Sequence, residues 1–251
     1  MHLAEYDTMR QVEDRHWWYG IVRGLALKAL TKRCGPKAAV LDAGCGTGGM
    51  LEVVRQARPG WALHGVDLEP EAVAHCRARG LINVSRQSVN RLPYEDGSFD
   101  AVLSLDVLYH AAVDQERALN EMARVLRPGG ELVLNLPAFD SLRGAHDVAV
   151  CGARRYRACH VRELLETHKM SVEMIHYWNA WLFLPLLLRR RWSREGKASS
   201  VHSSDLAMPS SLINGALSLM GRAEACLCRG LRIPFGTSVF AVARKAQRSH
   251  A

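Results

Sequence analysis

The sequence predicts an α/β fold built around a doubly wound, mostly parallel sheet. Apolar segments of strand length alternate with amphipathic segments of helix length from residue 38 to residue 178, and this alternation is typical of parallel sheets covered on both faces. A glycine-rich turn follows the first apolar segment, at the edge where such sheets bind ligands. The 251 residues are 48% hydrophobic and 23% charged, which excludes disordered, collagen-like and coiled-coil chains.

The individual elements follow from the period of the apolar residues. A first helix is predicted at residues 18–30. Strands are predicted at residues 38–42, 61–67, 83–89, 99–106, 131–136, 172–178 and 237–245. Helices are predicted between them at residues 50–57, 69–79, 112–126 and 161–169, with a further helix at residues 212–227. Residues 180–234 interrupt the alternation, so we expect an insertion between the last two strands.

An excess of basic residues gives the chain a formal charge of +8. Much of it lies at residues 189–197 and 222–248, beside an apolar run and not among stacking aromatic residues. This pattern favours a membrane surface or an amphiphilic ligand over nucleic acid. The sequence has no run of about 18 apolar residues, so no spanning helix is predicted. Residues 1–15 are polar, which leads us to expect a cytoplasmic protein.

The seven cysteines are scattered and odd in number, which argues against a disulfide framework. Cys226 and Cys228 lack the two-residue spacer and the second ligand pair of a zinc site. No metal site is therefore predicted.

The strongest functional signal is the segment Val40–Gly49, which joins the first predicted strand to the next helix. Its glycines permit tight turns and a close approach between backbone and ligand. Gly44, Gly46 and Gly49 have the spacing of a dinucleotide site. Gly44, Gly46 and Gly48 have the spacing of an S-adenosylmethionine site. The glycines alone leave both cofactors open.

Two acidic residues distinguish these cofactors. Asp42, at the end of the first strand, would repel a pyrophosphate but attract a sulfonium or an ammonium group. Asp67 ends the next strand, where a carboxylate can accept both ribose hydroxyls of an adenosine. A purely structural role for Asp42, as a cap of the loop, remains open.

Four segments resemble class I S-adenosylmethionine-dependent methyltransferases, and the type 11-like small-molecule enzymes in particular. They are VLDAGCGTGG (40–49), GVDLEPEAV (65–73), LPYEDGSFDAVLSLDVLYH (92–110) and VLRPGGELVLNLP (125–137). The resemblance implies a Rossmann-like sheet of seven strands with the last strand antiparallel. It implies one domain, divided into an N-terminal helical lid or cap (1–36), a cofactor-binding core (37–178), a helical insertion on the substrate side (179–236) and a final strand (237–247).

The resemblance also implies cofactor contacts at individual residues. Those lining the methionine part of the cofactor would be Asp42, Gly44, Cys45 and Gly46. Asp67 would hold the ribose, and Leu68 would lie against the adenine. Ser88 and Val89 stand where relatives often carry Asp-Ala, so a hydroxyl or a backbone group must replace the Asp that accepts from the adenine amino group. Ser104 and Leu105 would close the site after the fourth strand.

The segment His16–Tyr19 resembles the His-Trp-Trp-Phe opening of one bacterial branch of these enzymes. In that arrangement Tyr19 and Arg23 would face the cofactor carboxylate. The alternative is that Trp17 and Trp18 only anchor the helix on the sheet.

Methyl transfer from a sulfonium depends mainly on alignment of the acceptor and exclusion of water. A hydroxyl acceptor gains from a general base, whereas a carboxylate needs none. His110 and His146 follow the fourth and fifth strands and are the candidate catalytic bases, since histidine titrates near neutrality. Structural or cofactor contacts are the alternative for both residues.

Residues 181–192 read WLFLPLLLRRRW, an apolar stretch that ends in arginines and a tryptophan. Two interpretations are open: peripheral contact with a membrane, or packing on the domain as a substrate-side cap or homo-oligomer contact. The sequence thus predicts methyl transfer from S-adenosylmethionine to an O or C nucleophile of a small, apolar or lipid-like acceptor, in small-molecule biosynthesis. An NAD-dependent oxidoreductase and an RNA-directed methyltransferase are the alternatives.

Overall fold

The computed structural model describes residues 3–195, 208–227 and 233–247, and its centre is a seven-stranded sheet. The strands are β1 (Ala39–Ala43), β2 (Ala62–Asp67), β3 (Val84–Arg86), β4 (Phe99–Leu105), β5 (Leu126–Pro137), β6 (Met170–Trp178) and β7 (Ser238–Lys245). Their order is β3-β2-β1-β4-β5-β7-β6. Strand β7 is antiparallel to both β5 and β6, and the other pairings are parallel. The predicted Rossmann-like, doubly wound sheet is confirmed.

Helices cover both faces of the sheet. They are α1 (Leu3–Val12), α2 (Trp17–Arg33), α3 (Gly49–Ala57), α4 (Pro70–Ala78), α5 (Gln115–Val125), α6 (Ala145–Ala149), α7 (Ala158–Thr167), α8 (Ala180–Glu195) and α9 (Ser211–Leu227), with a 3₁₀ turn at Asp140–Leu142. None of the described helices has the length and apolar character needed to cross a bilayer.

Successive residues of the central strands face opposite sides of the sheet, so two apolar layers form. One layer packs against α5 and α7 and contains Leu41, Val102, Leu134, Met122 and Leu165. The other packs against α2 and α3 and contains Val40, Leu103, Phe240, Leu30 and Val54. These layers hold the carboxyl ends of β1, β2 and β4 in a rigid frame.

The structure corrects the predicted start of β5. The prediction treats residues 127–130 as a helix stop and begins the strand at residue 131, whereas β5 begins at Leu126. Phe99 pairs with Leu126, and the register then shifts before Ala101 pairs with Glu131. This irregularity lets the segment with Gly129, at a φ of 81°, remain part of the strand.

The insertion lies between β6 and β7 and is fastened to the N-terminal helices. The side chain of Asn214 in α9 accepts a hydrogen bond from the Trp17 amide (2.9 Å) and donates one to the Arg15 carbonyl (2.9 Å). Glu224 accepts from the amides of Asn179 (2.8 Å) and Ala180 (2.6 Å), where α8 begins. Side chains of α9 therefore accept hydrogen bonds from backbone amides at the starts of both α2 and α8.

Candidate active site

The glycine loop after β1 is shaped by three residues in the left-handed region. Gly44, Gly46 and Gly48 have φ values of 95°, 53° and 81°. Residues other than glycine rarely adopt these values. A β-carbon at Gly44 would overlap Val107, so the loop can approach β4 only with glycine there. These three positions follow the spacing of an S-adenosylmethionine loop.

Gly49, which completes the dinucleotide spacing, has another role. A β-carbon at this position would overlap the side chains of Arg23 and Glu13. The close approach at Gly49 thus serves packing of the N-terminal helices. The dinucleotide pattern is met in the sequence, but its last glycine is explained without a pyrophosphate.

Asp67 is held at the end of β2 by three hydrogen bonds. Its Oδ2 accepts from the Gly46 amide (2.9 Å), and its Oδ1 accepts from the Glu69 amide (3.1 Å) and from the Tyr6 hydroxyl (3.3 Å). Burial raises the pKa of Asp67, and these hydrogen bonds oppose the rise. Helix α1 therefore lies over the carboxylate predicted to hold the ribose. Sequence reasoning missed Tyr6, whose one signal is an aromatic residue in a polar segment.

Asp42 lies beside this site at the end of β1, and its side chain is buried. Desolvation raises its pKa to about 7; nearby Asp67 adds to the rise, and Arg23 opposes it. A cationic ligand group at this position would favour the ionised carboxylate. The chemistry of Asp42 and Asp67 fits the cationic methionine part and the ribose of the predicted donor.

Glu13 links the N-terminal helices to the glycine loop. It lies in the turn between α1 and α2, is only 3% exposed, and pairs with both Arg23 and Arg79. It also accepts a hydrogen bond from the Thr47 hydroxyl. The Arg23 guanidinium, which is predicted to face the cofactor carboxylate, thus forms an ion pair with Glu13. No local sequence signal points to this cluster, because Glu13, Thr47 and Arg79 are far apart in the chain.

The aromatic residues at the start of α2 pack against the insertion and β6. The Trp17 ring lies 5.6 Å from that of Trp181, and Trp18 stacks on Trp178 at 5.8 Å. The Tyr19 ring centroid lies 5.2 Å from Cζ of Arg23. The two tryptophans anchor the helix, whereas Tyr19 and Arg23 stay together near the glycine loop.

The remaining predicted cofactor residues lie along the same edge. Leu68 is 46% exposed, which leaves its side chain available to an adenine. Ser88 accepts a hydrogen bond from the Asn90 amide at 3.2 Å, and Val89 is buried. Among the described residues, the buried Ser104 hydroxyl has no hydrogen-bond partner. Leu105 is half-buried. The Cys45 thiol lies 3.9 Å from the Cys76 thiol.

Asp106 follows β4 and forms a polar cluster that sequence reasoning did not include in the site. Its φ of 55° is unusual for a residue other than glycine. Asn135 donates to its Oδ2 at 2.7 Å, and Trp178 donates to the Asn135 amide oxygen at 2.8 Å. Desolvation raises the pKa of Asp106 to about 7, against the Asn135 hydrogen bond. This carboxyl group can change protonation near neutral pH.

His110 is held by the segment that follows β5. Its Nδ1 lies 2.7 Å from the Val150 carbonyl oxygen, so we assign the proton to Nδ1. The ring stacks on Tyr109 with centroids 4.3 Å apart. Burial lowers the pKa of His110 to about 4, which makes it a weak base at neutral pH. His146 lies in α6, but its side chain is outside the described part of the structure, so both general-base roles stay predictions.

The described residues contain no group of three or more His, Cys, Asp or Glu side chains that could hold a metal ion. Cys226 is exposed near the end of α9, and Cys228 lies outside the described residues.

Comparison with known proteins decides the family. A family model described as a methyltransferase domain matches residues 41–134, which contain the glycine loop and both carboxylates. A probable S-adenosylmethionine-dependent methyltransferase from Mycolicibacterium smegmatis is 30% identical over 169 residues, covering 66% of this chain and 64% of that protein. The chain carries a class I S-adenosylmethionine-dependent methyltransferase domain. The predicted family and its methyl donor, S-adenosylmethionine, are confirmed.

Two other proteins are similar to this chain, one in sequence and one in fold. The probable tRNA methyltransferase 9B of Bos taurus is 37% identical over 107 residues, covering 42% of this chain and 22% of that protein. A solved geranyl diphosphate methyltransferase in complex with GPP and sinefungin has a TM-score of 0.60 at 18% identity, covering 91% of this chain and 78% of that chain. The latter shows a shared fold. The chain spans less than two thirds of the length of both curated relatives.

Proposed function

We propose that this protein transfers a methyl group from S-adenosylmethionine to an O or C nucleophile of a small, apolar or amphiphilic acceptor. The observation that carries the proposal is the placement of Asp42 and Asp67 at the adjoining ends of β1 and β2, on either side of the glycine loop. One carboxylate suits the cationic methionine part of the donor, and the other suits the ribose. When bound, the donor supplies an already activated methyl group.

The chain's own residues then have to orient the donor and exclude water. In this proposal residues 1–36 cover the donor, residues 37–178 hold it and residues 179–236 face the acceptor. Asp42 holds the ammonium end, Asp67 holds the ribose, and Leu68 lies against the adenine. Ser88 and Val89 border the adenine, and Ser104 and Leu105 close the site towards the acceptor.

An aromatic wall supports an apolar acceptor. The Phe139 ring, just after β5, stacks on Tyr177 at 4.9 Å and contacts Phe183 of α8 at 5.3 Å. Phe183 in turn lies 5.4 Å from Phe235, in the segment before β7. The neighbouring geranyl diphosphate enzyme acts on an acceptor of this chemical class, which supports the same assignment here. The proposal includes a cytoplasmic location.

The general base is needed only if the acceptor is a hydroxyl. His110 and His146 are the proposed bases, and each is tested separately by His110→Ala and His146→Ala. A variant that retains most of its turnover, at an unchanged affinity for S-adenosylhomocysteine, would remove that residue from the mechanism.

An RNA acceptor is the second candidate, favoured by the basic charge and by the likeness to a tRNA methyltransferase across the core. Calorimetry against S-adenosylhomocysteine, NAD⁺ and a short RNA separates the candidates. We expect binding of S-adenosylhomocysteine alone, with at least about tenfold weaker binding in Asp42→Asn. The matched control is Asp96→Asn. The Asp96 side chain is 76% exposed and pairs with Arg124, outside the glycine loop. Binding of NAD⁺ but not of S-adenosylhomocysteine would refute the proposal.

A further inference from the structure

We infer that the outer face of α8 docks on an anionic lipid surface. The inference rests on the proposed function only for the acceptor that the enzyme would meet there; docking itself needs no methyl transfer.

The exposed apolar side chains of α8 form one stripe. Leu184, Leu188 and Trp192 recur every four residues and are 59%, 50% and 73% exposed. At about 100° per residue, they span an arc of about 80°, and Pro185 widens it to about 100°. Arg191 lies about 20° beyond one edge of this arc, and Arg189 about 40° beyond the other. An apolar stripe between two arginines is the pattern of a helix that lies in a membrane interface.

The opposite side of α8 is occupied by the domain. Phe183, about 150° round the helix from the middle of the stripe, packs on Phe139. Trp181 lies within the arc of the stripe but in the first turn of the helix, where it packs on Trp17. Glu224 caps the first turn of the helix through its backbone amides. The stripe consequently faces outwards, where Pro185, Leu188, Arg189 and Trp192 line an open groove of about 530 Å³.

Exposed apolar residues are concentrated in the insertion. Besides the exposed residues of α8, four large apolar side chains are exposed on α9, the other long helix of the insertion: Leu212, Ile213, Leu219 and Met220. By contrast, few large apolar side chains are exposed elsewhere in the described structure; one example is Ile82, between α4 and β3, which is 85% exposed. On α8 itself the exposed residues form one stripe, and a contiguous apolar stripe marks an interaction site more often than scattered apolar residues do.

The charge identifies the occupant. Among the side chains described on α8 and α9, the exposed charges are Arg189, Arg191 and Arg222, while the carboxylate of Glu224 is buried. Arginines at a lipid surface attract acidic headgroups. A symmetric contact between two copies of α8 would bring these arginines towards their own counterparts. An anionic leaflet satisfies the apolar stripe and the flanking charges together.

The test is sedimentation of the full-length protein with vesicles of phosphatidylcholine, with and without about 30% phosphatidylglycerol. We expect binding to the anionic vesicles, weakening as salt is added. Trp192→Ala and the double variant Arg189→Gln/Arg191→Gln should each lower the partition coefficient at least about fivefold. The controls are Ile82→Ala and Arg117→Gln, which change exposed residues of the same type elsewhere and should bind as the unmodified protein does.

Calorimetry with S-adenosylhomocysteine on the same variants separates this inference from the proposed function. Unchanged calorimetry with reduced vesicle binding supports docking through α8. Absence of vesicle binding at low salt, or an equal loss in the Ile82→Ala control, overturns the inference. Dimerisation in analytical ultracentrifugation that Trp192→Ala abolishes would also overturn it, because a second copy would then be the occupant.

Discussion

The hydroxyl of Tyr6 donates a 3.3 Å hydrogen bond to Oδ1 of Asp67, so the first helix covers the carboxylate assigned to the donor ribose. Oδ2 of the same carboxylate already accepts from the Gly46 amide. Two ribose hydroxyls would each have an oxygen of Asp67 to bind only if the Tyr6 hydroxyl gives way at Oδ1, which already accepts from the Glu69 amide. Entry of the donor and the position of α1 are therefore linked.

Removal of this competing hydroxyl should strengthen donor binding. A hydrogen bond of this kind contributes about 1 kcal/mol net, so Tyr6→Phe should bind S-adenosylhomocysteine about fivefold more tightly. Calorimetry measures the change, with Tyr94→Phe as the control, since the Tyr94 hydroxyl is hydrogen-bonded to Ser85 and not to Asp67. Weaker binding in Tyr6→Phe would show that the hydroxyl contacts the donor itself.

The raised pKa of Asp42 predicts that donor affinity depends on pH. Because the pKa is about 7, the ionised fraction of Asp42 rises steeply between pH 6 and pH 8, and affinity for S-adenosylmethionine should rise about tenfold over this range. Binding should release a proton near pH 7, detectable in buffers of different ionisation enthalpy. The variant Asp42→Asn should bind weakly with little pH dependence; a steep dependence in that variant would assign the titration to another group.

The same carboxyl group should lower the stability of the unliganded protein at high pH. Its pKa in the folded state exceeds that of the unfolded chain, so the folded state binds the proton more tightly. This contribution to stability is present at low pH and is lost as the pH rises through about 7. Thermal unfolding should show Asp42→Asn gaining stability relative to the unmodified protein at pH 8, and little or none at pH 4. An equal gain at both pH values would contradict this assignment.

Glu13 should matter more for stability than its neighbour Asp14. Glu13→Gln leaves the Arg23 and Arg79 guanidinium groups without their buried carboxylate, which should lower the free energy of unfolding by about 3 kcal/mol. The Asp14 side chain is 45% exposed, so Asp14→Asn should cost less than about 1 kcal/mol. Urea unfolding measures both. Similar losses in the two variants would mean that the Glu13 pairs are no stronger than surface pairs.

The cap of α8 gives a further prediction. Glu224→Ala removes the acceptor for the Asn179 and Ala180 amides, and should lower the free energy of unfolding by about 2 kcal/mol. Urea unfolding of Glu95→Ala, at an exposed position, is the control. A loss no greater than in the control would show that water replaces the missing carboxylate.

The sequence predicted the glycine loop and its carboxylates because their signals are local. An apolar run, closely spaced glycines and a following acid sufficed to place Asp42 and Asp67 at adjoining strand ends. An N-terminal helical lid or cap was predicted, but its contacts with the loop were not, since Tyr6 and Glu13 acquire their roles only from partners such as Asp67 and Arg79. Arg23 shows the same limit: the resemblance of the His16–Tyr19 segment implied a contact with the cofactor carboxylate, but in the fold Arg23 pairs with the carboxylate of Glu13.

The cap that Asn214 places on α2 joins positions 197 residues apart in the chain. During translation, the segment holding Trp17 emerges long before Asn214 exists to receive it. The cover over the donor loop would thus be completed among the last steps of folding, after the sheet strands β1 to β6 have been made. A chain that ended before Ser211 would contain every motif of the loop, but its N-terminal helices would lack the hydrogen bonds to Asn214.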